Sequence, residues 1–387
     1  VKTQLKISRA AQLIEQEIER FGPMSFARFV ELALYHPMYG YYNRKASPRG
    51  RSGDYFTAGQ VSDLFPEIVA EAVAAMMTTM ESEQFSIIEV GAGFGEILEG
   101  ILISLKEKGF NQGVKVWAVE KSGPARDELW RKLSRFPKCE IISSLDEIEM
   151  VGGVEGLIFS NELFDALPFH RHRFYGSGWK EIFINLKGGK LVEEELLLSD
   201  PKILDGLGLE KKEFEEGQEI EVRPDAGEIL EQWASNLTRG YIMTFDYGYS
   251  RKDLYGLSHL HGTWQCFHRH RINQHPLENI GEQDITAHVD FTRLGEVGET
   301  LGFTPSFFSS QGIFLTHLGK DVIEKKLQGL QASSEGKSAL EHRSFAGSLQ
   351  QLLHPDGMGE KFKVLIQTKA AKLPPVFQSI PNRLKSL

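Results

Sequence analysis

The run Ser86-Ile87-Ile88-Glu89-Val90 passes without a break into Gly91-Ala92-Gly93-Phe94-Gly95, and a helical pattern opens at Glu96. A short apolar run bounded by glycines reads as a buried strand. Glycines at alternate positions let the chain turn tightly and let its backbone approach a ligand. The same rhythm continues. Val114 to Glu120 reads as a strand, Pro124 to Phe136 as a helix, Ile141-Ile142 as a small strand and Gly156 to Ser160 as a fourth. Strands alternating with helices predict an α/β fold with a mostly parallel sheet and right-handed crossovers. Ligands of such sheets sit above the carboxyl edge of the strands.

Around this core the pattern changes. Leu5 to Phe21 carries apolar residues at helical spacing and stops at Gly22-Pro23. Ser25 suits the cap of a second helix, Phe26 to Leu34, ended by His36-Pro37. Phe169 to Phe174 and Trp179 to Asn185 read as a hairpin around Gly176-Ser177-Gly178. Residues 188–217 carry many charges and no clear period. Residues 249–283 hold five histidines and read as a long loop shaping a site. The expected organisation is an N-terminal helical and loop region, 1–80; the first part of the core, 81–168; and an insertion with a hairpin, 169–225. The core continues over 226–248. A long loop and helical substrate region follows, 249–355, then a core strand and tail, 356–387.

Composition excludes some function classes. Lys and Arg number 44 against 53 Asp and Glu, a net charge of −9. That balance argues against a broad nucleic-acid surface while permitting a local basic patch. No apolar run reaches about 18 residues, so no membrane insertion is expected. Arg9, Glu15, Glu17 and Glu19 interrupt any apolar leader. Cys139 and Cys266 are the only cysteines, which rules out a metal site built from cysteines and favours a reducing compartment. His259-x-His261 and His268-x-His270 lack the H-E-x-x-H pattern, and no metal is expected. No feature specifies an oligomeric state.

The chemistry concentrates at the glycine turn. A nicotinamide fingerprint would place its third glycine at position 96, which is Glu96. Glu89 beside the turn would repel a pyrophosphate and attract a cationic or amino-bearing ligand. S-adenosyl-L-methionine offers a sulfonium, an ammonium and a ribose diol, and its carboxylate would use turn N–H groups. Glu120, ending the second strand, suits the two ribose hydroxyls. Asn161-Glu162-Leu163-Phe164-Asp165-Ala166-Leu167-Pro168 follows the fourth strand at the same edge. On a helical turn Glu162 and Asp165 would share a face and hold a cation. The bland alternative is a helix start decorated with favourable acids. In the N-terminal loop, Gly53, Asp54 and Thr57 suit cofactor contacts and Arg51 its carboxylate, or else the segment is an Asx turn. The aromatics Tyr39, Tyr41, Tyr42, Trp264 and Phe267 suit either a peptide channel or core packing.

Taken with further segments, these motifs resemble the MidA family of S-adenosyl-L-methionine-dependent methyltransferases. The matching pieces include Tyr35-His36-Pro37-x-Tyr39-Gly40-Tyr41-Tyr42, Gly53-Asp54-Tyr55-Phe56-Thr57, Glu89 to Gly95 and Asn161-Glu162-x-x-Asp165-Ala166-Leu167-Pro168. They continue with Asp246-Tyr247-Gly248-Tyr249, Asp284 to Phe291, Thr316-His317-Leu318-Gly319 and Met358-Gly359-x-x-Phe362-Lys363-Val364-Leu365. The resemblance implies a class I, Rossmann-like methyltransferase core with an N-terminal helical region and an inserted lid or substrate region. A mitochondrial member of the family is linked to complex I assembly through symmetric dimethylation of an arginine. The chain departs from the familiar Gly-Pro-Gly-Arg-Gly, having Ala92 and Phe94, so an arginine that would hold a carboxylate is missing.

The implied reaction is methyl transfer to an arginine in a respiratory complex I-type subunit, with a cytoplasmic location in a bacterium and a mitochondrial one only in a eukaryote. Carboxylates would fix the guanidinium and favour loss of its proton as nitrogen attacks. Glu162 and Asp165 are the first candidates, Glu162 also for cofactor contact, with Asp246 and His288 next. Two rivals remain at this level: a non-catalytic assembly factor that retains cofactor binding, and a small-molecule methyltransferase.

Overall fold

A computed structural model describes residues 8–44, 58–82, 84–110, 113–148, 153–204, 207–208, 214–332 and 338–387. The chain divides into two compact units. The first comprises residues 1–55, 164–228 and 250–293; the second comprises 56–163, 229–249 and 294–387.

The second unit is built on seven strands: β1 Phe85–Val90, β2 Val114–Val119, β3 Cys139–Ile142, β4 Val154–Asn161, β5 Leu237–Tyr249, β6 Thr304–Ser310 and β7 Phe362–Lys369. Their spatial order is β6-β7-β5-β4-β1-β2-β3. The pairs β1–β2, β1–β4, β2–β3 and β4–β5 are parallel, whereas β7 runs antiparallel to β5 and β6. The order reverses beside β1, which creates a switch point at its carboxyl end. Helix α1 Leu64–Met80 precedes β1, and α2 Glu96–Glu107 and α3 Gly123–Leu133 connect the strands that follow. Parallel strands covered on both faces are apolar throughout, so Ile87, Ile88, Leu157, Ile158 and Phe159 are all buried. Leu98, Ile101 and Leu105 recur at helical spacing along α2 and join Ile68, Val69 and Val73 of α1 in one core. Gly319 separates the helices Gln311–Leu318 and Lys320–Ala332.

The first unit is built differently. Helices Arg9–Phe21 and Phe26–Tyr35 begin at Ser8 and Ser25, whose hydroxyls accept from Ala11 N–H and Arg28 N–H. Their apolar faces pack with Phe169, Ile184, Trp264 and Cys266. An antiparallel sheet joins Met24–Ser25, Gly178–Lys187, His170–Tyr175 and Glu219–Val222, with Lys190–Leu196 paired to Gly178–Lys187. The segment expected to be a loop over 249–283 contains a helical turn, Arg251–Leu254, and strands Gln265–His268 and Arg271–Asn273. With Asp284–Thr286 these form a three-stranded sheet. Cys266, Asp284 and Ile285 are the buried residues of this sheet, too few to mark a period in the sequence.

Candidate active site

Three of the central parallel strands of the second unit, β1, β2 and β4, end close together, and β5 passes beside the end of β4. Val90 lies opposite Val119, Glu89 opposite Phe159, and Asn161 opposite Phe245. Gly91, Glu120 and Glu162 therefore leave the sheet at its carboxyl edge, while β5 runs on to Tyr249 and carries Asp246 past the end of β4.

Gly91, Gly93 and Gly95 all adopt left-handed backbone, with φ of 75°, 56° and 81°. A Cβ at Gly91 would lie 2.9 Å from Leu163 Cδ1, and one at Gly95 2.8 Å from Leu129 Cδ2. Glycine is required on both counts. The amides of this turn are spent on the fold. Gly91 and Ala92 donate to Val119 O at 2.9 and 3.1 Å, Gly95 donates to Ala92 O, and Gly93 donates to Glu120 Oε2 at 2.9 Å. The expectation that these N–H groups receive a cofactor carboxylate does not hold for those four, because the tight turn closes on them. Glu120 also accepts from Ser122 N–H through Oε1 at 2.7 Å. Two backbone donors thus fix the carboxylate, and each oxygen keeps lone-pair capacity for a further donor.

Residues 162–165 do not form the helical turn that would place Glu162 and Asp165 on one face. Glu162 has φ +53°, a left-handed conformation that a residue with a Cβ rarely adopts. Its N–H donates to Phe245 O at 2.9 Å. Its Oε1 accepts from Ala58 N–H at 3.1 Å and Asn161 Nδ2 at 3.0 Å. Asp246 accepts from Leu163 N–H and from Tyr247 N–H. Glu89 is 2% exposed and Glu162 9%. The buried Asn161 Oδ1 has no hydrogen-bond donor among the described residues. Arg51, Gly53, Asp54 and Thr57 lie outside the described residues.

In the first unit, Asp165 and His288 meet through Arg223, which no sequence motif singled out. Asp165 O accepts from Ala287 N–H at 3.2 Å and from Arg223 Nη2 at 3.0 Å. Arg223 also donates to Ala287 O and, through Nη1, to His288 O at 2.8 Å, with its guanidinium 5.1 Å from the Phe169 ring. His288 N–H donates to Thr263 Oγ1, which donates to Glu221. Burial, with Glu219 nearby, raises the Glu221 carboxyl above its usual range against the pull of Thr263 and Trp264 N–H. Arg223 follows the strand Glu219–Val222 and precedes Pro224, and no spacing in the sequence marks it as functional. The aromatic residues resolve toward packing: Tyr41 and Trp264 are buried, and Tyr42 donates to Asp284 Oδ1 at 2.8 Å.

The fold has a solved counterpart. A crystal structure from Burkholderia thailandensis, of a "likely methyl transferase" bound to S-adenosyl-homocysteine, superposes with a TM-score of 0.85. It shares 26% identity and covers 98% of this chain and 96% of that one. Sheet order and acid-lined edge define a Rossmann-like, S-adenosyl-L-methionine-dependent methyltransferase. Among curated proteins, "Protein arginine methyltransferase NDUFAF7, mitochondrial" from Danio rerio is 25% identical over 380 residues, 91% of this chain and 85% of the relative. Its Homo sapiens counterpart is 26% identical over 391 residues, 89% of this chain and 80% of the relative. The chain belongs to the MidA family, whose model, described as "Putative S-adenosyl-L-methionine-dependent methyltransferase", matches residues 68–309. The edge has the chemistry to suit that cofactor: Glu120 and Asn161 Oδ1 are acceptors that would take its donors, and Glu89 and Glu162 would set negative charge against a ligand that carries a sulfonium and an ammonium.

Proposed function

We propose that the chain methylates a guanidinium nitrogen of an arginine in a protein. The observation that carries this reading is the pair of buried carboxyl groups, Glu89 and Glu162, at the edge where the parallel strands end. Carboxylates at such an edge match a cationic ligand and the bidentate geometry of a guanidinium. The names of the curated relatives support arginine as the acceptor. The family resemblance extends the proposal to a respiratory complex I-type subunit. Two free cysteines, Cys139 and Cys266, go with a reducing, cytoplasmic setting. No helix among the described residues is long and apolar enough to cross a membrane.

In this reading Glu120 receives the ribose hydroxyls, and Glu89 with Asn161 receives the ammonium. Gly91, Gly93 and Gly95 keep side chains out of the space above the edge. Arg51, Gly53, Asp54 and Thr57 are further candidates for the same ligand. Bound S-adenosyl-L-methionine supplies an electrophilic methyl group on sulfur. Glu162 orients an incoming guanidinium and takes up the proton that its nitrogen releases on forming the new bond to carbon. On the first unit, Asp165 and His288 are candidates for handling the acceptor protein, with Arg223 holding their backbone.

The test is transfer of labelled methyl into lysate proteins and into a complex I-type core subunit, followed by acid hydrolysis. Label in methylarginine is expected. Label in lysine, or only in small molecules, would overturn the arginine assignment.

A further inference from the structure

We infer that Asp246 is a positioning residue. It fixes the backbone of Glu162 through the intervening Leu163 amide and does not itself meet the acceptor. The inference rests on the cofactor-edge role proposed above for Glu162, and it concerns how that residue is held.

Four observations in the second unit carry it. Asp246 is 0% exposed. Its oxygens face main-chain N–H groups: Oδ2 accepts from Leu163 at 3.2 Å and Oδ1 from Tyr247 at 2.9 Å. Fully buried and held from two sides, this carboxylate has no exposed surface to offer an acceptor. Next, consecutive amides of the turn are pinned to consecutive residues of β5. Glu162 N–H goes to Phe245 O at 2.9 Å, and Leu163 N–H goes to the Asp246 side chain. Third, the residue between these two anchors is the one with φ +53°. A side chain bearing a Cβ keeps such a conformation only where its surroundings enforce it, and such positions cluster at functional sites. Fourth, the Glu162 carboxylate delivered by this backbone reaches Ala58 N–H and Asn161 Nδ2.

The path runs from Asp246 through Leu163 N–H to the Glu162 backbone, and from the Glu162 carboxylate to Ala58 and Asn161. Lys363 is buried and directly opposite Asp246 in the β5–β7 ladder, which places a cation on the same face of the sheet. Alternation along an antiparallel pair makes such opposite residues neighbours. An uncharged side chain at 246 would offer Leu163 N–H a weaker acceptor or none, and the turn would relax toward ordinary backbone.

The test uses the full chain and the variants Asp246→Ala, Asp246→Asn, Glu162→Gln and Asp246→Ala/Glu162→Gln. Amide exchange is followed by mass spectrometry on peptides covering Ala58 and Leu163, and S-adenosyl-homocysteine binding by calorimetry. Asp246→Ala is expected to speed exchange about tenfold at both Leu163 and Ala58, as loss of a charged acceptor implies. Glu162→Gln should speed it at Ala58 alone. Affinity should fall about tenfold in Asp246→Ala and in Glu162→Gln, with the double variant no worse than the poorer single. Asp246→Asn keeps one acceptor oxygen and should fall between; it also carries the test if the alanine variant misfolds. Ala58 exchange unchanged in the Asp246 variants would overturn the inference, as would losses that multiply in the double variant. If exchange responds as expected but every affinity matches wild type, the positioning role stands and the cofactor role of Glu162 falls.

Discussion

The two units bury different things. The second buries aliphatic and aromatic side chains in one continuous core and gathers its acids at the carboxyl edge of the strands. The first buries charge. Arg171, 2% exposed, lies 4.6 Å from the Phe26 ring and 4.2 Å from the Trp264 ring. It donates to Glu219 at 2.6 Å and to Glu193 at 2.5 Å, while Arg173 pairs with Glu219 and Glu195. Burial opposes the Arg171 charge, but Glu219 and Glu193 outweigh it and hold the guanidinium above its ordinary value. Trp264 Nε1–H also donates to Glu219. The second unit is stabilised by area removed from water, and the first adds to its own apolar core a set of polar partners that must all be present.

Breaking each kind of core should give different signatures. Arg171→Leu leaves Glu219 and Glu193 without their buried cation and should cost about 4 kcal/mol in urea denaturation. Leu98→Ala, in the apolar core of α2, should cost about 3 kcal/mol, with the same value at pH 5 and pH 8. If Arg171→Leu proves milder than Leu98→Ala, the contrast between the units fails.

The same contrast explains what the sequence could disclose. Strands β1, β2 and β4 were legible because Ile87-Ile88, Val116-Trp117 and Leu157-Ile158 bury on both faces, so hydropathy alone marks them. Lys190–Leu196 was not, because Glu193-Glu194-Glu195 breaks any apolar alternation. That strand makes sense only with its partners: Glu193 meets Arg171, Glu194 meets Asn185 and Lys187, and Glu195 meets Arg173 and Tyr175. β6 was hidden by Pro305, which a strand tolerates at a sheet edge, where this one lies. At the site, the Gly91–Gly95 turn and the acids of the edge were readable from strand-end spacing. The left-handed Glu162 and the Arg223 clasp were not. Both depend on carbonyls and amides contributed by segments far away in the chain.

His172 sharpens the comparison through pH. It is fully buried in the first unit, and neither ring nitrogen has a hydrogen-bond partner among the described residues. Burial, which outweighs the nearby Glu181, lowers its pKa to about 4. Unfolded, the ring would titrate near pH 6.5, at about the ordinary value. Between about pH 6.5 and 4 the unfolded chain therefore holds a proton that the folded chain refuses. This contribution is present above that window and is lost as pH falls through it, up to about 3 kcal/mol. Glu221 works in the opposite sense, because its raised pKa favours the folded state on acidification. The informative quantity is then the difference between wild type and His172→Phe across pH 7 to 4. The variant should lose less stability on acidification, and parallel curves would show that His172 is not titrating as its burial implies.

The smallest expected effect separates structure from chemistry at the edge of the second unit. Glu120 accepts from Gly93 N–H and Ser122 N–H, so it braces the glycine turn before any ligand arrives. Glu120→Gln keeps one acceptor oxygen and the volume, and the turn should survive with little change in melting temperature. Its loss of charge should still weaken S-adenosyl-homocysteine binding by about 1 to 2 kcal/mol, because hydrogen bonds from ribose hydroxyls are stronger to a charged acceptor. Glu120→Ala removes both functions, so affinity and stability should fall together. Calorimetry beside thermal unfolding distinguishes the cases. If Glu120→Gln binds like wild type, the carboxylate serves the turn alone, and the ribose contact must be sought elsewhere along the edge. If it loses affinity without losing stability, the charge acts on the ligand. In that event the acids of this edge, unlike the paired acids of the first unit, are there for what binds rather than for what folds.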